Sequence, residues 1–131
     1  MGDLTTKFGS NAGKIWSVLN EKGSLNKDEL LKTTKLDEND FHIGIGWLAR
    51  ENKIARDQNL YKLDQTNLES EIGMHAGQIY KIINIWQDVD FSSIKRLTNL
   101  RDEEIHAALG WLAREDKIQI NEHNRFTLKN K

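Results

Sequence analysis

The hexapeptide Gly46-Trp47-Leu48-Ala49-Arg50-Glu51 returns 64 residues later as Gly110-Trp111-Leu112-Ala113-Arg114-Glu115. An internal repeat of this kind leaves few folds open. The same shift carries Leu4 onto Leu68, Gly9 onto Gly73, Ala12-Gly13 onto Ala76-Gly77, Ile15 onto Ile79, Leu36 onto Leu100 and His42 onto His106. From Leu4 to Ile54 the two copies align without a gap, and about a third of the positions are identical. One extra residue then brings Tyr61 onto Phe126 and Leu63 onto Leu128. Loop tips tolerate insertions and helix interiors do not, so the extra residue marks a loop. The chain is a duplication, divided as 1–66 and 67–131. Units of about 60 residues are small for a lone core, so packing the two together would bury apolar surface that neither buries alone.

Within the first unit, residues 11–22 read as a helix with Ala12, Ile15, Trp16 and Leu19 on its buried face. Gly23 ends it, and Ser24-Leu25 is a short extended bridge. Asn26 caps a second helix, with Glu29 in capping-box position and Leu30 and Leu31 as its apolar face. Asp37 caps a third, running to about Glu51. Lys53 to Arg56 and Leu60 to Leu63 are strands joined by Asp57-Gln58-Asn59. The second unit repeats the order with helices 75–86, 91–98 and 102–115 and a hairpin over 117–129. Asp64 to Ser70 is polar and reads as the linker, with Leu68 and Ile72 as alternative first residues of the next helix. Helix, short strand, helix, turn, helix, hairpin is the winged helix-turn-helix order. The fold class is mainly α with small β-hairpin wings (α+β), as two tandem winged helix-turn-helix domains.

Gly9-x-x-Ala12-Gly13-x-Ile15-Trp16, followed by Gly46-Trp47-Leu48-Ala49-Arg50-Glu51-x-Lys53-Ile54, resembles the short winged helix-turn-helix proteins of archaea and Bacteroidetes that form a domain-of-unknown-function family. The resemblance covers each repeat nearly end to end. Members are mostly single units and some form homodimers, so it implies a fused pseudo-dimer. It implies DNA binding as well, and carries no established activity. The second unit departs from the pattern at Tyr80, in place of the tryptophan, and has no equivalent of Gly23.

Charge runs against a DNA-binding expectation. Lysine and arginine total 19 against 20 acidic residues, for a net charge of −1. Neither half is basic: there are 10 basic and 10 acidic residues before position 69 and 9 against 10 from that position on. Duplex binding is dominated by phosphate neutralisation, which favours a basic excess.

Helix three carries the decision. With Phe41 at the centre of the buried stripe, Gly44, Ile45 and Leu48 fall within about 60° of it at 100° per residue. The opposite face, expected to be exposed, then shows Asn39, His42, Ile43, Gly46, Ala49 and Arg50. In the second unit it shows Glu103, His106, Ala107, Gly110, Ala113 and Arg114. A major-groove reader places Arg, Lys, Asn or Gln at the N-terminal end of this helix. That end is instead Asp37-Glu38-Asn39-Asp40 and Arg101-Asp102-Glu103-Glu104. Carboxylates suit the helix dipole there but repel phosphate. The nucleic-acid contacts this arrangement offers are Asn39, His42, Arg50, Lys53 and Arg56, with His106, Arg114, Lys117 and Arg125. Arg50 and Arg114 equally suit pairing with a carboxylate or with the helix C-terminus. Asp57 and Glu122 lie beside the wing arginines. Gly46 and Ala49, with Gly110 and Ala113, form a small-residue face that another helix can approach closely, and Trp47 and Trp111 at the edge of the buried stripe cover the base of the wing or form the contact between units. Glycine there costs helix propensity that close approach would offset. Trp16 and Tyr80 read as core-facing, and Trp86 as partly exposed.

Absent cysteine removes thiolate chemistry and disulfides. The histidines lack partners at metal-ligand spacing, and no phosphate loop or catalytic constellation is present. We therefore expect no enzyme, cofactor, metal or small-molecule substrate, no membrane partner, and a cytoplasmic location. Two functions stay open: a DNA-associated, transcription-related protein on duplex DNA, and an interaction or assembly module whose partner is another protein or itself.

Overall fold

The computed structural model describes residues 4–129; the outermost residues of the expected bounds 1–66 and 67–131 lie outside them. The first repeat consists of α1 (Leu4–Lys22), β1 (Leu25–Asn26), α2 (Lys27–Thr34), α3 (Glu38–Arg50), β2 (Ile54–Asp57) and β3 (Leu60–Leu63). The second follows in the same order: α4 (Glu69–Trp86), β4 (Asp88–Val89), α5 (Phe91–Thr98), α6 (Asp102–Arg114), β5 (Ile118–Ile120) and β6 (Phe126–Leu128). Each forms a three-stranded antiparallel sheet in which the last strand is central, in the orders β1-β3-β2 and β4-β6-β5.

Local chemistry explains most boundaries. Gly23 takes φ +85°, its N–H donating to the Leu19 carbonyl at 2.9 Å, and so ends α1. The second repeat has no glycine there, and Gln87 adopts φ 75° in its stead. Asn26 and Glu29 make the expected reciprocal capping box on α2, and the Asp37 carboxylate accepts from the Asp40 N–H at 2.8 Å. The wings differ where the inserted residue falls. Asp57 pairs with Leu60 across a two-residue turn at Gln58-Asn59, whereas Ile120 pairs with Phe126 across a longer loop. In that loop the Asn121 side-chain oxygen accepts from the His123 and Arg125 N–H groups.

Both first helices begin earlier than the expected 11 and 75. Leu4, Phe8, Ala12, Ile15 and Leu19 prolong one stripe back to the start of α1, and Leu68 and Ile72 do the same for α4, so the expected linker is partly helical. Gly9 and Gly73 lie inside these extensions. Each faces the indole of its own repeat's helix three, where a Cβ would sit 3.1 Å from Trp47 and 3.3 Å from Trp111.

The larger correction concerns helix three. Ile43, Gly46 and Ala49, and with them Ala107, Gly110 and Ala113, are buried, not exposed. α3 and α6 pack on each other, so this face is covered by the other repeat. Two apolar cores result, and both draw on both repeats. Phe8 and Ile43 join the core around Ile79, Ile105 and Leu112, while Leu68, Ile72 and Ala107 join that around Ile15, Phe41 and Leu48. Trp47 and Trp111 pack against both. Trp16 departs from expectation in the opposite sense: it is 39% exposed on the outer side of α1, while Tyr80 at its place in the second repeat is half-buried against the core.

Candidate functional site

The seam between α3 and α6 brings most of the singled-out residues together. A Cβ built on Gly46 would fall on the Ala107 carbonyl oxygen, and one on Gly110 would fall on the Ile43 carbonyl oxygen. Two backbones meet here with no room for a side chain at either glycine. Ala49 and Ala113, the next small residues along each helix, are fully buried.

At the C-terminal ends of the same helices, charges close the seam reciprocally. The Arg50 Nε donates to Glu115 at 2.9 Å and the Arg114 Nε donates to Glu51 at 2.8 Å. Each guanidinium also lies over the other repeat's indole, Arg50 at 5.7 Å from the Trp111 ring and Arg114 at 5.8 Å from the Trp47 ring. Lys53 and Lys117 approach the same acids, Glu51 at 3.5 Å and Glu115 at 3.3 Å. Four of the six cations expected to be available to phosphate are therefore engaged, in two charge clusters centred on Glu51 and Glu115. Arg125 makes a fifth: it pairs with Asp88 at 2.9 Å and Asp90 at 3.6 Å, rather than with the neighbouring Glu122. Arg56 alone of the six has no ion pair among the described residues.

Two grooves lie beside the N-terminal ends of α3 and α6, each lined mainly by one repeat. The first, of 410 Å³, is lined by Lys27, His42, Arg56, Tyr61 and, from the other repeat, Glu103. Lys27 pairs with Glu38 at 2.8 Å, a hydrogen bond that raises the lysine pKa and holds the carboxyl below its ordinary range. His42 is half-buried rather than exposed, its side chain 12% accessible. Its Nε2 is buried without a hydrogen-bond partner, Glu38 lying 3.6 Å away, and burial pushes its pKa down against the pull of Glu103 and Glu38. The second groove, of 450 Å³, is lined by Asn39, Phe91, His106, Ile120 and Phe126. There His106 stacks on Phe91 at 4.7 Å, and its Nδ1 lies 2.8 Å from the Asp102 carbonyl. Lys27 and Arg56 in one groove thus correspond to Phe91 and Ile120 in the other, which keeps Asp90 and Asp102 in its lining, so the second groove has lost both cations but not its acids.

A winged helix-turn-helix domain family model, DUF2582, matches residues 3–66 and again residues 67–128. The chain belongs to that family, as two tandem copies of its domain. An uncharacterized protein of Methanocaldococcus jannaschii is similar to the chain at 39% identity over 56 residues, which are 41% of this chain and 80% of that protein. That relative thus has about the length of a single repeat. No solved structure matches the chain. The DUF2582 fold is compatible with DNA binding. Among the described residues no helix is long and apolar enough to cross a membrane, and no cluster of His, Asp or Glu is arranged to hold a metal ion.

Sequence reasoning missed several residues of this DUF2582 pair. Glu51 and Glu115 close the hexapeptide that both copies keep, so the signal for a reciprocal pair was present. Lys27, Glu103, Asp88 and Phe91 enter their sites from separate elements, and nothing in a one-dimensional pattern joins them.

Proposed function

We infer that this chain is a non-enzymatic, cytoplasmic protein-binding scaffold rather than a reader of DNA through helix three. The observation that carries this reading is the mutual burial of α3 and α6 around Gly46 and Gly110. A winged-helix protein that reads a major groove lays this helix against base edges. Here each helix three has the other as its partner, and its N-terminal end exposes Glu38 in the first repeat and Asp102 and Glu103 in the second. The two charge clusters support the same reading, because phosphate contact by Arg50, Arg114, Lys53 or Lys117 would first require leaving a carboxylate.

The test is fluorescence anisotropy of a labelled 30-base-pair random duplex, titrated from about 20 mM to 200 mM salt. We expect no saturable binding at the low end. Tight binding with a steep fall of log K against log salt is the signature of phosphate neutralisation and would sink the reading. One observation favours a second reading, a transcription-associated duplex binder: Arg56 on the first wing, without an ion pair among the described residues, set on a family fold compatible with DNA. In that case Arg56→Glu abolishes the anisotropy signal and Gly13→Ala does not.

A further inference from the structure

The second repeat carries an exposed apolar site that the first repeat lacks. Trp86, at the end of α4, is 58% exposed and Leu97, in the last turn of α5, is 39% exposed. Both line a pocket of 220 Å³ together with the buried Val89, Ser93, Arg96 and the Arg125–Asp88 ion pair. That volume accommodates one large apolar side chain. Shifted back by 64 residues, Trp86, Leu97 and Arg96 become Lys22, Thr33 and Lys32. The two repeats share their scaffold, and at this place one is wetted and the other apolar. Packing does not require the tryptophan, since the same helix ends in lysine in the first copy.

The charge in the pocket's lining is equally specific. Arg125 is already neutralised by Asp88 and Asp90. Arg96 is exposed and has no ion pair among the described residues, while Lys95 beside it is held by Asp102 at 2.6 Å. One uncompensated guanidinium therefore stands in the lining of an apolar pocket. Tryptophan and arginine around a pocket are the combination that dominates binding energy at protein interfaces, and exposed aromatic surface ringed by polar groups marks such sites.

We propose that the Trp86–Leu97 pocket docks an acidic segment of another protein, whose bulky apolar side chain enters between Trp86 and Leu97 while a neighbouring carboxylate pairs with Arg96. The proposal rests on the protein-binding reading above and assigns it a surface. It places the partner on the outer face of α4 and α5, away from the seam, so docking leaves the α3–α6 contact intact. It also makes the assembly asymmetric: one partner segment per chain, although the chain has two repeats.

The test uses the full chain and a fluorescein-labelled dodecapeptide of leucine and glutamate, with versions in which lysine or glutamine replaces every glutamate. Two variants are compared with the unmodified protein. One combines Trp86→Lys with Leu97→Thr, the side chains that the first repeat tolerates at these places; the other is Arg96→Glu. We expect the glutamate peptide to bind best, and the double variant to weaken it at least tenfold with no loss of helical circular dichroism. Arg96→Glu should invert the preference towards the lysine peptide. Equal binding of all three peptides would overturn the carboxylate part of the proposal. Glutamate-peptide binding indifferent to the double variant would overturn the surface while leaving the protein-binding reading in place. A dimer of the unmodified chain that the double variant dissociates would give the pocket to a second copy, and variant-sensitive binding to phosphatidylglycerol vesicles would give it to a membrane; either overturns the proposal. Binding to none of the peptides, together with salt-steep duplex binding, would remove the protein-binding reading itself.

Discussion

Gly46 lies against the Ala107 carbonyl so closely that a single added carbon has nowhere to go, and Gly110 stands in the same relation to Ile43. Alanine normally stabilises a helix by about 1 kcal/mol over glycine. At Gly46 that gain is outweighed, because the obstacle is backbone of another helix and cannot rotate away. Gly46→Ala and Gly110→Ala should each cost about 3 kcal/mol, lowering the melting temperature by about 10 °C. Gly13 and Gly77 are the controls: open space surrounds their positions, so Gly13→Ala should be neutral or stabilising by up to about 1 kcal/mol. Thermal denaturation of the three variants checks the contrast. Equal effects at positions 13 and 46 would contradict the close approach.

The Arg50–Glu115 and Arg114–Glu51 pairs hold the same seam more weakly. The arginine side chains are nearly half exposed, so water and salt screen much of their attraction. A double-mutant cycle with Arg50→Ala and Glu115→Ala should give a coupling of about 0.5–1 kcal/mol. It should shrink as salt rises from about 0.05 M to 1 M. A coupling that is zero at low salt would show the pair to be incidental.

Much of this arrangement is legible in the residues alone. Capping at Asn26 and Asp37 and the αL glycine at Gly23 are local events, settled by a residue and its neighbours three or four positions away. The small residues at Gly46 and Gly110 announce a close approach for the same reason, as glycine inside a helix needs a cause. The face they belong to is nonetheless expected to be exposed. Angles around one helix locate the stripe that packs on its own repeat, and α3 and α6 each have a second stripe that packs on the other. Ile43 is the visible clue, an aliphatic residue on the expected solvent face. The early starts of α1 and α4 are obscured by Gly9 and Gly73, whose place in a helix depends on indoles some 38 residues further on. The grooves and the Trp86–Leu97 pocket join residues from three or more elements each, and only the tertiary fold brings those together.

His42 should make stability pH-dependent. Its pKa is lowered in the folded state, first by burial, with Lys27 adding to the effect and Glu103 and Glu38 opposing it. The unfolded chain therefore binds more protons than the folded one once pH drops below the ordinary histidine value of 6.5. Stability contributed by the neutral imidazole is thus fully present above that value and is lost as pH falls from it towards the lower folded-state pKa. Glu38 and Glu104, whose pKa values are lowered, add losses only below their ordinary value of 4.5. Denaturant midpoints from about pH 7.5 to 5.0 for the parent chain and for His42→Gln isolate the histidine: the parent should lose stability faster over this range. Parallel profiles would mean that His42 is not the group responsible.

Separating the repeats should cost each of them its fold as a monomer. A chain ending at Thr66 loses Leu68, Ile72 and Ala107 from the core around Ile15 and Phe41, and leaves Phe8 and Ile43 without the second core they enter. It also uncovers the face of α3 around Gly46 and Ala49 that α6 buries. Short units bury a small fraction of their surface to begin with, so the loss of a whole helix contact is not absorbed elsewhere. The isolated segment should either lose helical circular dichroism or sediment as a self-associated species that substitutes a second copy of α3 for α6. Mixing it with residues 67–131 should restore helix and a one-to-one complex. A well-folded monomer of either half in sedimentation equilibrium would show that the shared cores are dispensable.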